Sequence, residues 1–376
     1  MSQSNGHRYL LLDGLRGVAA FFVVLFHAAR DGSPFYRLDP LYLMVDFFFV
    51  LSGFVLFPSL PRSWQAYRTA ALRFLVKRVI RLWPMLLTVL IFATAVYYAQ
   101  MWDTHRMGDG FDYDVNRNWR MYTAAALLLQ IWVSQSMLMV VPLWSLSAEW
   151  CANLAFLLLT PVRRSIGVLA GIAIGAWLLH RGLVQDEKWI DWIGPIRGQE
   201  ALGRAMVGFG AGLMTRQVAD RLAASPRRRL LLNPMWLGVS LWLAWRLLDA
   251  HRDVGYDVLY YAAPVFCLLV LQASAVHIEA STLIGRTCLR AGAWSFGLYA
   301  FHRVVMDGFN YLTAEPLHWW STPVYMAPNS VWLNFLVFKV SVVTVVSLLL
   351  TIITAALIER PAQLAGRLLL RRIPAA

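Results

Sequence analysis

Apolar residues in this chain come in runs separated by short polar intervals. The runs cover roughly 9–30, 41–58, 74–99, 121–135, 142–161, 166–180, 201–215, 230–248, 256–275, 293–312 and 332–358. A helix of about 20 apolar residues matches the hydrocarbon thickness of a bilayer. Backbone polar groups in lipid must be satisfied within their own segment, so such runs predict helices rather than isolated strands. The longest polar interval is about 20 residues, too short for a soluble domain. The pattern therefore predicts one integral-membrane domain over 1–376, an all-α bundle of transmembrane helices. No internal repeat or low-complexity tract interrupts it.

Charge placement orients the bundle. Residues 59–82 hold Arg62, Arg68, Arg73, Lys77, Arg78 and Arg81 and no acid. Residues 216–230 hold Arg216, Arg221, Arg227, Arg228 and Arg229 against Asp220, and the tail holds Arg360, Arg367, Arg371 and Arg372 against Glu359. These regions are expected in the cytoplasm. The intervals 101–120, 181–200, 246–257 and 313–331 lack such an excess and are expected outside. Between 101–120 and the basic Arg163–Arg164 turn the chain must then cross an odd number of times, yet two apolar runs lie there. The shorter run, 121–135, is expected to be re-entrant or interfacial. That gives about ten crossings, both termini cytoplasmic, in a bacterial inner (cytoplasmic) membrane.

Composition agrees. Charged residues make up 15% of the 376 and hydrophobic ones 59%, with a mean hydropathy of +0.54; soluble domains carry about a quarter charged residues. The net charge of +13 lies in short loops, as orientation requires, so nucleic acid is not an expected partner. Cys151, Cys267 and Cys288 are scattered and read as small buried hydrophobes, and no metal site is expected. Residues 9–30 lack a small-residue cleavage site and run on into further apolar segments, so no cleavable signal peptide is expected.

Against this background the polar residues inside apolar runs carry the information, because an ionisable group at membrane depth is costly and usually functional. The first run holds Asp13, Arg16 and His27. Arg16 and His27 are eleven residues apart, which returns them to nearly the same helix face with about 16 Å of rise between them. A fixed cation near the cytoplasmic surface and a titratable base toward the outer one suit an extended anionic ligand. His27 reads as a general base for a hydroxyl or as an interhelix hydrogen bond. Asp46, in VDFFFVLSGFVL (45–56), falls at a similar depth, so a His27–Asp46 pair is geometrically allowed; an interfacial polar residue is the alternative. Ser52-Gly53 reads as a close-packing site.

Arg78 and Arg81 are at i,i+3 and share a face, directly before Leu82-Trp83-Pro84. Two guanidinium forks there suit phosphate, or lipid headgroups. Glu149, in PLWSLSAEW (142–150), reads as part of the chemistry or as a carboxylate tied to an Arg or Trp donor. His302, in WSFGLYAFHR (294–303), reads as a site residue or as a satisfied interhelix contact. Glu359 and Arg360 precede Pro361, which is expected to end the last helix.

In order along the chain, LDGLRGVAA with LFH (12–27), VDFFFVLSGF (45–54), KRVIRLWP (77–84), PLWSLSAE (142–149), SFGLYAFH (295–302) and IERPA (358–362) resemble the blocks of the integral-membrane acyltransferase-3 family. The resemblance implies transfer of an acyl group, commonly acetyl from acetyl-CoA or another short acyl-CoA, to a hydroxyl. By motif position it implies His27 as catalytic residue and Arg16, Arg78 and Arg81 as the arginines for the donor's phosphates, with Asp46 or Glu149 supporting His27. Trp144, Ser147, Tyr299 and His302 are candidates to line the substrate site. After Glu149 the chain reads Trp150-Cys151-Ala152-Asn153, where the family often has Gln-Phe-Tyr-like residues. Because the chain ends soon after its last apolar run, it resembles members without an appended hydrolase-like domain. The expected acceptor is an extracytoplasmic or lipid-linked polysaccharide or oligosaccharide, with membrane lipid and polysaccharide-assembly proteins as further partners and no permanently bound cofactor. The alternatives are O-acylation of a macrolide or other small metabolite, and a non-enzymatic transporter of an anionic solute.

Overall fold

The structure is a computed structural model. It describes residues 9–373 apart from 31–35, 62–63, 65–66, 108–118, 134–139, 162–163, 186–197, 224, 226–227 and 318–328. Most of the intervals expected outside the membrane, 101–120, 181–200 and 313–331, lie wholly or partly outside the described residues, as do Arg62, Arg163 and Arg227.

Among the described residues there is no strand. The helices are α1 (Leu10–Arg30), α2 (Met44–Leu56), α3 (Tyr67–Met107), α4 (Trp119–Ala126), α5 (Trp144–Leu159), α6 (Arg164–Gln185), α7 (Gly198–Ala223), α8 (Arg228–Leu231), α9 (Pro234–Val254), α10 (Leu259–Ala275), α11 (Leu283–Leu317), α12 (Asn329–Thr354) and α13 (Arg360–Arg372). Among the described residues six stretches are long and apolar enough to cross a membrane: Leu10–Ala29, Leu38–Ser59, Tyr67–Ala99, Val141–Leu159, Arg164–Val184 and Leu333–Arg372. Helices α7, α9 and α11 are long but more polar, and α10 is apolar but shorter.

Small residues set the tightest helix pairs, since without a hydrophobic drive between helices in lipid it is close backbone approach that makes packing favourable. Helices α1 and α11 run parallel. Gly14 faces Cys288, and a Cβ added at Gly17 would lie 2.6 Å from the Ala291 Cβ. Asp13 packs over Gly292, and His27 meets His302 farther along. Helices α2 and α7 are also parallel: Asp46 meets Arg204, Gly208 lies under Phe49, and Gly212 and Gly53 bring the two backbones into contact at Val50 and Phe209. Helix α6 runs antiparallel to α7, with Gly182 at Glu200 and Gly175 at Gly203. Helix α12 runs antiparallel to α11, with Gly297 at Thr351 and Phe309 at Phe335.

Two expectations resolve at helix breaks. The described part of run 121–135, residues 121–133, forms no spanning helix. Helix α4 is eight residues long, about 12 Å, and it ends where Leu128 takes φ 56. The break is held by Ser147, whose hydroxyl donates to Leu128 O (2.6 Å) and accepts from the Ile131 amide (3.4 Å). The last helix does not end at Pro361. A π-helical turn, Ala355–Glu359, joins α12 to α13, and Pro361 falls in the first turn of α13. The wider π-turn directly before it accommodates a residue without an N–H, and the helix continues.

Candidate active site

Most of the sequence candidates fall into two polar layers, both touching α1. At the far end of α1 is a histidine pair. His27 is 7% exposed and His302 is fully buried. His302 Nδ1 lies 2.6 Å from Tyr299 O, and His302 Nε2 lies 3.2 Å from His27 Nδ1, which is itself 3.0 Å from Val23 O. Carbonyl oxygens only accept, which fixes the tautomers of the neutral pair. His302 donates from Nδ1 to Tyr299 O, and its Nε2 accepts from His27 Nδ1–H, shared with Val23 O. The lone pair of His27 is then on Nε2. His302 thus satisfies its interhelix role and also orients the imidazole of α1. Beside it, Tyr299 donates to Pro142 O (2.6 Å) and pairs with Ser145 Oγ (2.6 Å), tying α11 to the start of α5.

The expected His27–Asp46 pair is not formed. Asp46 is held by Arg204, which donates from Nε (2.8 Å) and Nη2 (2.6 Å) to its two oxygens in a bidentate pair. Among the described residues Arg204 Nη1 has no hydrogen-bond partner; the guanidinium carbon lies 5.3 Å from the Tyr42 ring and 5.2 Å from Trp144. A planar, always-charged fork on an adjacent parallel helix outcompetes a neutral imidazole for a buried carboxylate. Trp144 accordingly packs on this pair and on Phe49, while the Ser147 hydroxyl is committed to the break after α4.

The second layer lies near the start of α1. Arg78 Nη2 donates to Glu149 Oε1 in a short ion pair, and Ser52 Oγ donates to the same oxygen (2.5 Å). Arg16 is within electrostatic reach of Asp13, Arg81, Glu149 and Arg78. Arg81 in turn reaches Glu359, which the π-turn holds in a buried position. The structure therefore gathers Arg16, Arg78 and Arg81 with Asp13, Glu149 and Glu359. It places Glu149 with these arginines rather than with His27, the Arg-tied alternative. Among the described residues no cluster of three His, Cys, Asp or Glu side chains could hold a metal ion.

A sequence profile described as an acyltransferase domain matches residues 9–356. The chain belongs to the acyltransferase-3 family. The match takes in both layers apart from Glu359, and it contains every helix from α1 to α12. "Protein 2 in picA locus" of Rhizobium radiobacter is 41% identical over 99 residues, which is 26% of this chain and 50% of that protein. The chain thus spans half the length of that relative. No solved structure matches.

Within this acyltransferase-3 chain two buried polar contacts escape sequence reading. Arg204 sits in a run that reads as apolar, GRAMVGFGAG (203–212), and a lone charge inside such a run was the available signal. Ser52 reads as a packing residue beside Gly53, yet its hydroxyl serves Glu149; nothing in the local sequence marks that.

Proposed function

We propose that this chain is a multi-pass membrane O-acyltransferase that moves acetyl, or another short acyl group, from acyl-CoA to a hydroxyl of an extracytoplasmic or lipid-linked glycan. The observation that carries the reading is the division of α1. The arginine layer gathers at its start. About 16 Å farther on stands a histidine whose tautomer is set by a second histidine. The donor approaches from the cytoplasmic side with its phosphates at the arginines and its pantetheine arm running along the bundle. The acceptor hydroxyl meets His27 from the other side. Family membership supports acyl transfer, and the six apolar stretches support a membrane setting.

In the transfer step His27 Nε2 takes the acceptor's hydroxyl proton as its oxygen attacks the thioester carbonyl. The tetrahedral adduct collapses, the C–S bond breaks, and the imidazolium returns the proton to the leaving thiolate. His302 holds His27 in the tautomer that carries its lone pair on Nε2. The alternation of helix directions, with α4 not crossing, supports ten crossings with both termini cytoplasmic. In this reading His27 lies toward the outer side of a bacterial inner membrane.

The test is transfer of radiolabelled acetyl from acetyl-CoA to envelope glycan in membranes, comparing wild type with His27→Ala at matched protein level. Loss of about 10²–10⁴-fold is the expected contribution of a positioned base. Equal transfer by both proteins would remove His27 from the chemistry, and no transfer by either would reject the donor or the acceptor.

A further inference from the structure

Beside the arginine layer, and sharing Arg81 with it, α3 and α13 line an open groove of about 230 Å³. The two helices are fixed against each other. Arg73 Nη1 donates to Leu370 O (3.2 Å) and Ile373 O (2.6 Å), capping the C-terminal end of α13. Gly366 sits against Ile80 where a larger residue would not fit. Lys77 and Arg81 lie at i,i+4 on α3, and Gln363 and Arg367 lie at i,i+4 on α13, so each helix turns one polar row into the groove. Ile80 and Leu370 supply apolar walls. Leu364, Leu368 and Leu369 are exposed, as in a helix lying along a membrane interface.

The charge in this groove is unbalanced. Arg81 has Glu359 within reach, but neither Lys77 nor Arg367 has an ion-pair partner among the described residues, and no acidic side chain lines the groove. Cations of like sign facing across a partly enclosed space repel, and nothing in the packing requires them there. The arginine layer next door faces three carboxylates, Asp13, Glu149 and Glu359, whereas the groove faces none. Lysine and arginine on opposing walls, an amide donor between them and apolar side walls suit a phosphate group carried on an organic moiety.

We propose that the α3–α13 groove is a phosphate-binding site in which Lys77 and Arg367 grip an organic phosphate, with Arg81 and Gln363 at its inner end. Two sources carry that chemistry: the 3′-phosphorylated ADP end of acyl-CoA and the headgroup of an anionic lipid. The donor arm deepens the acyltransferase reading and rests on it; the lipid arm does not.

The test uses the full chain in nanodiscs. Binding of radiolabelled CoA and of 3′-dephospho-CoA is measured in phosphatidylcholine discs, and enrichment of phosphatidylglycerol around the protein is measured in mixed discs. The variants are Lys77→Gln/Arg367→Gln and, as a control for general charge, Arg221→Gln on the exposed part of α7. Lys77 and Arg367 are exposed, so their loss leaves the fold intact, and thermal midpoints check this. At least ten-fold weaker CoA binding in the double variant, with its preference over 3′-dephospho-CoA lost and Arg221→Gln unchanged, supports the site with the donor as ligand. Unchanged CoA binding with loss of phosphatidylglycerol enrichment supports the site with lipid as ligand. If neither changes, or if Arg221→Gln matches the double variant, the proposal is overturned. A wild type that binds no CoA would reject the donor in the acyltransferase reading, and the lipid arm would still decide the groove.

Discussion

The Asp46–Arg204 pair gives the sharpest quantitative test of the architecture. Both side chains are almost excluded from solvent, at 7% and 1% exposure, and they share a bidentate contact. Arg204→Met leaves the Asp46 carboxylate buried without its donors, and Asp46→Leu leaves the Arg204 charge buried without its counter-ion. Each single change is expected to cost about 3–5 kcal/mol, the usual price of orphaning one member of a buried pair. Replacing both removes the desolvation penalty together with the attraction, so Asp46→Leu/Arg204→Met is expected within about 1–2 kcal/mol of wild type. The double-mutant cycle then shows a coupling of several kcal/mol, well above the few tenths seen for independent sites. Unfolding in mixed micelles with rising sodium dodecyl sulfate, followed by helix signal, reads all four proteins. Additive costs, or single variants as stable as wild type, would refute the pairing. The same proteins separate lock from chemistry. If Asp46 supported His27, the refolded double variant would be stable and inactive; the geometry predicts transfer within about ten-fold of wild type, since among the described residues the Asp46 carboxylate hydrogen-bonds to Arg204 alone.

Other outcomes follow from particular contacts. His302→Ala is expected to lower kcat by roughly ten-fold or more while leaving KM for acyl-CoA within about two-fold, because it releases the His27 tautomer without touching the donor layer; a change confined to KM would contradict this. Arg78→Ala and Glu149→Ala are expected to be non-additive in both stability and activity, since each removes the same ion pair; a cycle with no interaction term would separate them. Gly53→Ala or Gly212→Ala pushes a methyl into the backbone of the facing helix and is expected to cost about 1–3 kcal/mol, whereas Gly238→Ala, with nothing within 4 Å of the added atom, is expected to be neutral or slightly stabilising. Equal stability for all three would contradict the close α2–α7 packing.

Much of this was determined by the sequence alone. The apolar runs specify helices, because lipid leaves the backbone no other partner. The short run 121–135 was marked as the odd one by charge parity, and it is a broken helix. The spacing of Arg16 and His27 places a cation and a base at opposite ends of α1, since helical rise and turn are fixed by local geometry. The motif blocks name the family. What only the tertiary structure decided is which polar groups meet. Asp46 is a sequence candidate at the depth of His27 and His302 a candidate within another apolar run, and depth is one coordinate of three. The parallel packing of α1 with α11 gave the imidazole to His302, and that of α2 with α7 gave the carboxylate to Arg204. Glu149 went to Arg78 and Ser52 for the same reason. Pro361 was read as a helix end because proline usually breaks a helix interior, but the π-turn places it in a first turn, where it does no harm. Partner choice among buried charges depends on neighbouring helices that are distant in sequence, and one sequence carries no record of which faces those helices turn to each other.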